Sequence, residues 1–520
     1  MNGSVALILH AHLPFVRHPE HDVFHEENWL FEAITESYIP LLRSWLRLQR
    51  EGVPFKLTLS CTPTLSAMLA DPFLRERYVR HLDRLNALAE IECERTRDDE
   101  RRHGLAHFYR NFFAETRHVF VEEWNSDLLA VLRQLRGTGV LELIASAATH
   151  GILPIWQSAS SAAATQIAVG IDEFSRHFGG NPRGFWLPEC AYAPGLDQLL
   201  GAQEIRWFTV DAHALTLASP PAKFGTYAPC FTPAGPAVFA RDIIASREVW
   251  SAEAGYPGHP HYRDFYRDIG FDLRASELDP FEKNTFTGIK YHRITGRDGA
   301  KEYYEPETAH ALAREHAITF VERRLRQLDI VSADVPSPLL TIPFDAELFG
   351  HWWFEGPIFL EHVLREAHAR GLPLTTPSDF LASNQTHQIT RPAASSWGDK
   401  GFLDVWLDDR CGWIYPHLFA ATRRMTALAK KHAQSVSADD ERVLRQLARE
   451  LLLAQSSDWP FLIRNGTATS YATQRVRSHL KRFAKIAGDF ERGRVDRDFL
   501  AQCEERDNLF ASVHWQHFLA

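Results

Sequence analysis

The 520-residue chain has little that would carry it into a membrane, an oxidising compartment or onto nucleic acid. No apolar run approaches the roughly 18 residues that a membrane span requires. The first twelve residues hold one short apolar run, Val5 to Leu9, with no basic stretch ahead of it. That start reads as a first strand rather than an export signal. Six cysteines, at 61, 93, 190, 230, 411 and 503, are too scattered for a zinc site or a thioredoxin-type pair, and are expected as free thiols in the cytoplasm. Positive charge is not in excess either: 57 Lys and Arg against 66 Asp and Glu give a net charge of −9, with both signs interspersed. Nothing in that balance suits a nucleic-acid or anionic-membrane binder. Internal repeats and low-complexity segments are also missing.

Aromatic residues are plentiful, with 14 Trp, 34 Phe and 13 Tyr. A chain of this length can bury most of them in its core. The remainder can serve as flat platforms for the apolar face of a pyranose ring.

Apolar runs over 5–9, 54–60, 140–146, 183–187, 206–211, 338–344 and 372–376 read as strands, and helical periodicity separates several of them. Strands alternating with helices imply an α/β fold built on a parallel sheet or barrel. The stretch 212–300 is irregular and rich in Pro, Gly and aromatics, and mostly helical patterns follow residue 385. Two domains are therefore expected: 1–385 as a catalytic barrel with that insertion, and 386–520 as a helical domain.

Titratable side chains recur just beyond the strand ends: His10 and His12, His150, Glu189, Asp211 and His213, and Asp345. In a parallel barrel those ends converge on one face, so residues distant in sequence share one pocket. Glu189 lies in Trp186-Leu187-Pro188-Glu189-Cys190-Ala191-Tyr192, and Asp345 in Pro343-Phe344-Asp345-Ala346-Glu347-Leu348-Phe349-Gly350-His351-Trp352-Trp353. Two carboxylates in aromatic company are what glycosidic bond cleavage needs, one at the anomeric centre and one to protonate the leaving oxygen. Apolar surroundings raise the pKa of such an acid. The structural alternative is a pair of strand-end acids that cap the following helices. His10-Ala11-His12 allows two readings as well, ligands of a hydrolytic metal ion or donors and acceptors for substrate hydroxyls.

Five segments, in order along nearly the whole chain, resemble the characteristic regions of glycoside hydrolase family 57. They are His10 to Phe15, Thr149 to Pro154, the two carboxylate strings above, and Gln455-Ser456-Ser457-Asp458-Trp459-Pro460-Phe461. Within the family the chain is most similar to the 1,4-α-glucan branching enzymes, through the short helical C-terminal part, the region 256–271 and Thr287 to Tyr291. The resemblance implies an incomplete (β/α)7 barrel of TIM type with a helical domain closing over the cleft. It implies that Glu189 is the nucleophile and Asp345 the general acid/base of a retaining reaction without metal or other cofactor.

By the same resemblance His10, His12, His150, Trp186 and Trp352 line the sugar site, and Arg267, Trp397, Trp406, Asp458 and Trp459 contact glucan. The aromatic-rich segment 241–271 is expected to form a lid, with Trp250 and Tyr256 presented to the substrate. The expected partner is an α-glucan such as amylose, amylopectin or glycogen, handled by a cytoplasmic monomer. Three other readings stay open: a 4-α-glucanotransferase or α-amylase with the same acids, a metal-dependent hydrolase using His10 and His12, and a silent glucan-binding protein.

Overall fold

After Ser4, every residue of β1 (Ser4–Ala11) is buried, as a central parallel strand covered on both faces requires. A computed structural model describes residues 3–159, 161–251, 253–278, 281–295, 301–385 and 387–519. Seven further strands follow: β2 (Leu57–Cys61), β3 (Leu141–Ser146), β4 (Gly184–Trp186), β5 (Trp207–Val210), β6 (Cys230–Phe231), β7 (Ala237–Ala240) and β8 (Leu339–Asp345). They form one sheet in the order β6-β7-β5-β4-β3-β2-β1-β8. All neighbours pair parallel except β6 with β7. The sheet curls until its two sides meet at a single point, where Arg241 bridges Thr341 and the Asp242 N–H donates to the Thr341 carbonyl at 2.7 Å. The fold is thus an incomplete α/β barrel with a narrow seam between β7 and β8.

The two-residue period of the strands sorts their side chains. Val5, Leu7 and Leu9 of β1 join the large outer core under the helices. Ala6 and Ile8 instead join Ile144, Trp186, Trp207, Ala237, Phe239 and Leu339, which come from five other strands and fill the barrel interior. Phe380, on the helix Pro377–Ser383, completes that interior cluster. The same helix plugs the N-terminal mouth, where Ser378 Oγ donates to Glu142 and accepts the Trp207 indole N–H at 3.0 Å. Gly184 makes room for this packing, since a Cβ there would lie 2.3 Å from the Trp207 ring.

Beyond the barrel the chain is helical, with Ile414–His432, Ala438–Ala454, Asp458–Asn465, Thr469–Glu491 and Arg497–Arg506 as its main helices. Between the two parts, residues 387–397 still follow the barrel, through bridges of Ile389 to Phe231, Arg391 to Ser219 and Ser395 to Tyr192. The residue beside the expected boundary, 386, lies outside the described residues, as do 252, 279, 280 and 296–300 of the insertion.

Three expectations need correction. The run 372–376 makes only one bridge, Leu374 to Val5, because from Ile8 onward that edge of β1 pairs with β2. The parallel strand it was expected to supply is β7, inside the stretch read as irregular, which also holds the helix Ile243–Trp250. Tyr256 is not presented to solvent as expected: the residue is 9% exposed, and its ring packs on His316 and Phe359 with centroids 4.6 and 5.5 Å away.

Candidate active site

His10 is the last residue of β1 with inward parity, and its ring lies flat on Trp186, 4.4 Å between centroids and 9° between planes. Its Nδ1 is 3.1 Å from Ser60 Oγ at the end of β2, and its Nε2 is 3.0 Å from His150 Nε2. His150 Nδ1 reaches Ser457 Oγ at 2.8 Å. His12 stacks on His150 at 3.9 Å, places Nδ1 3.0 Å from Thr62 Oγ1, and sets Nε2 at 3.1 and 3.2 Å from the two Asp458 oxygens. All six ring nitrogens of the three histidines therefore have partners. Burial, with the neighbouring His12, pushes His10 and His150 well below the ordinary imidazole range. Both rings are then neutral, and across the facing Nε2 atoms one donates while the other accepts. Burial alone would raise the Asp458 carboxyl, but His12, His150 and the Ser456 hydroxyl outweigh it and hold the group below its usual value. Asp458 and Ser457 come from the helical part, so the pocket is built by both parts of the chain.

Glu189 stands just beyond β4 on a tight turn closed by Cys190 N–H to Leu187 O and Ala191 N–H to Pro188 O. Its backbone is left-handed (φ 59°, ψ 26°), and Cys190 and His150 share that sign at φ 49° and 56°. Such conformations cost a non-glycine residue about 1–3 kcal/mol and collect where side chains must be aimed. The turn aims the Glu189 carboxylate at Trp397, whose indole N–H donates to Oε2 at 2.8 Å and whose backbone N–H donates to the Glu189 carbonyl at 3.0 Å. Burial, then the charge of Asp345, push Glu189 up to about 7 against the opposing pull of the Trp397 hydrogen bond. Asp345 ends β8, directly beside His10 in the strand register. Burial and the neighbouring Glu347 push its carboxyl well above the usual range. Glu347 accepts the His12 backbone N–H at 3.1 Å and the Tyr38 hydroxyl at 2.5 Å, and burial raises it to about 7.

The remaining expected residues divide by exposure. Trp397 is half-buried between Trp186 and Trp250, with ring centroids 5.1 and 6.1 Å away. Trp352 is 54% exposed and stacks on Phe265 at 4.7 Å. Trp186, Trp406 and Trp459 are at most 1% exposed, so none offers a free face to a sugar. Trp186 backs His10, Trp406 packs under Gly398 beside Trp397, and the Trp459 indole donates to the Leu453 carbonyl at 2.7 Å. Arg267 is on the surface in an ion pair with Asp272 at 3.1 Å. Asp211 takes the helix-capping role, accepting the Ala212 N–H at 2.6 Å while paired with Arg241 at 2.5 Å. Ser60, Thr62, Tyr38, Arg241, Glu347 and Ser457 were not singled out from the sequence. Of these, Ser60 and Arg241 share the inward parity of their strands, a signal open only to a correct strand register.

This arrangement has close relatives. A 1,4-alpha-glucan branching enzyme of Thermococcus kodakarensis is 34% identical over 551 residues, which cover 99% of this chain and 78% of the relative. The crystal structure of a protein described as a novel alpha-amylase from Thermotoga maritima superposes with a TM-score of 0.94 at 40% identity, covering 100% of this chain and 99% of that one. A branching enzyme of Pyrococcus horikoshii gives 0.91 at 35%, with 100% and 97% covered. Residues 417–518 match the model of the C-terminal region of 1,4-alpha-glucan branching enzymes. Residues 6–392, which hold Glu189, Asp345 and the three pocket histidines, match that of glycosyl hydrolase family 57, and the chain belongs to this family.

Proposed function

We propose that the chain is a 1,4-α-glucan branching enzyme that acts by retaining double displacement, with Glu189 as nucleophile and Asp345 as general acid/base. The carrying observation is the meeting of the two carboxyls at the strand ends, where Asp345 sits beside His10 in the register and its charge adds to burial in raising Glu189. Two acids in one dry pocket can divide the work, one held protonated to donate and the other ionised to attack. In the first step Glu189 attacks the anomeric carbon of an α-1,4-linked glucan while Asp345 protonates the departing 4-oxygen. In the second, Asp345 takes the proton from a 6-hydroxyl of another glucan chain, and that oxygen displaces Glu189 with net retention.

His10, His12 and His150, locked together and to Asp458 by hydrogen bonds and stacking, form one polar wall against which the donor sugar packs. Trp397 and Trp250 supply aromatic surface beside the nucleophile, and Trp352 supplies it at the rim. The same proposal divides the chain into the barrel of 1–385 and the helical part of 386–520, and places the enzyme in the cytoplasm, where glycogen-type polymers would be its substrate. No helix among the described residues is long and apolar enough to cross a membrane.

One observation favours a second reading, α-amylase, namely the 40% identity to the Thermotoga maritima protein of that description. The chemistry differs only in whether a sugar hydroxyl or water resolves the covalent intermediate. Incubation with amylose, counting new α-1,6 linkages against new reducing ends, separates the two, with Glu189→Gln as the inert control. Linkages outnumbering reducing ends support branching; reducing ends alone would overturn it in favour of hydrolysis.

A further inference from the structure

We infer that His103 and His107 form a chelating site for a divalent transition-metal ion, away from the sugar pocket and outside the barrel. Both lie on the helix Glu100–His118, four residues apart, so their side chains project from one face. Both rings are half-buried, and their Nε2 atoms approach to 3.0 Å. His103 Nδ1 lies 3.0 Å from the carbonyl oxygen of Cys93, on the preceding helix Pro72–Arg95. A carbonyl only accepts, so Nδ1 carries the proton of the neutral ring and Nε2 presents its lone pair. This is the arrangement in which a metal-binding histidine is held by a backbone carbonyl behind it, with tautomer and ring orientation both fixed. In the absence of metal the His107 Nε2–H fills the gap by donating to His103. When an ion binds, that proton moves to His107 Nδ1, which makes no other hydrogen bond among the described residues, and the ring stays neutral.

The ligand type sets the class of ion, since two neutral imidazoles suit Cu(II), Ni(II) and Zn(II). Water fills the other positions, so the class of ligand is a hydrated divalent ion of the later first transition row, preferred in the order Cu(II), then Ni(II) and Zn(II). Neither histidine takes part in the proposed glycosyl transfer.

The test is calorimetric titration of the tag-free, chelator-stripped full chain with NiCl2 and with CuSO4. Wild type is compared with His107→Asn and His103→Gln. Among the described residues His107 makes one side-chain hydrogen bond, to His103, so the first variant breaks no other; the second guards against a rearranged ring. The expected result is one equivalent of Ni(II) bound by wild type and lost in both variants, with unchanged activity on amylose. Equal stoichiometry and affinity in wild type and His107→Asn would overturn the site and attribute any binding to other histidines of the chain. Absence of Ni(II) and Cu(II) binding to wild type would overturn it as well.

Discussion

The Trp397 indole N–H points at Oε2 of Glu189 from 2.8 Å, across 208 positions of sequence. A donor aimed at a carboxylate stabilises its ionised form, and here that pull opposes burial and the charge of Asp345. Replacing Trp397 by Phe removes the donor while keeping an aromatic ring. Glu189 then ionises at higher pH, and the acidic limb of the kcat/KM profile moves up by about one unit, the size of a hydrogen bond to a charged group. A pH profile measures this; a loss of rate with the limb unmoved would leave Trp397 a purely steric part of the wall.

Asp345→Asn removes the proposed proton donor and base but not the proposed nucleophile. Transfer from amylose is expected to fall by about a hundredfold to ten-thousandfold, the range of general acid–base contributions. A donor with a good leaving group, such as a glucosyl fluoride, needs no protonation and should recover much of the first step. Single-turnover measurements on both donors check it.

Gly184→Ala addresses the barrel filling. The added methyl would sit 2.3 Å from the Trp207 ring and 2.8 Å from Ile144, with no flexible neighbour to yield. A loss of about 3 kcal/mol is expected, the upper end for overpacking, read from the urea midpoint.

His81 is 2% exposed between the rings of Phe31 and Phe281, and its Nδ1 has no partner among the described residues. Burial, with Arg84 adding, lowers it to about 3. Its folded value lies below its unfolded one, so its contribution is complete above pH 6.5 and is lost as pH falls from 6.5 toward 3. Between pH 6.5 and 5 that loss is about 1.6 kcal/mol. His81→Leu should flatten the fall in stability over this window by that amount, measured by denaturant titration at both pH values.

Much of the site was legible because strand ends carry it. His10, His12, His150, Glu189 and Asp345 each follow an apolar run long enough to be read as a strand, and the barrel brings those ends together. β7 escaped because four residues beside Gly235 and Pro236 give too short a period, and with it went Arg241. The tryptophans were harder. Trp352 and Trp459 look alike in sequence, yet one is 54% exposed and the other 0%, because only tertiary packing decides which flat ring is covered. Glu347 lies two residues beyond Asp345 in the same string, but its hold on Tyr38 and the His12 backbone joins segments that no local pattern links.

The left-handed backbone at Glu189 sets chemistry and sturdiness against each other at one position. A glycine there would relax the turn and make the chain harder to unfold, by about 1 kcal/mol on conformational grounds, while erasing the carboxylate proposed to attack. A redesign that ranks this chain by thermal endurance alone would favour that exchange, and on the proposed mechanism would return a tougher molecule without its nucleophile.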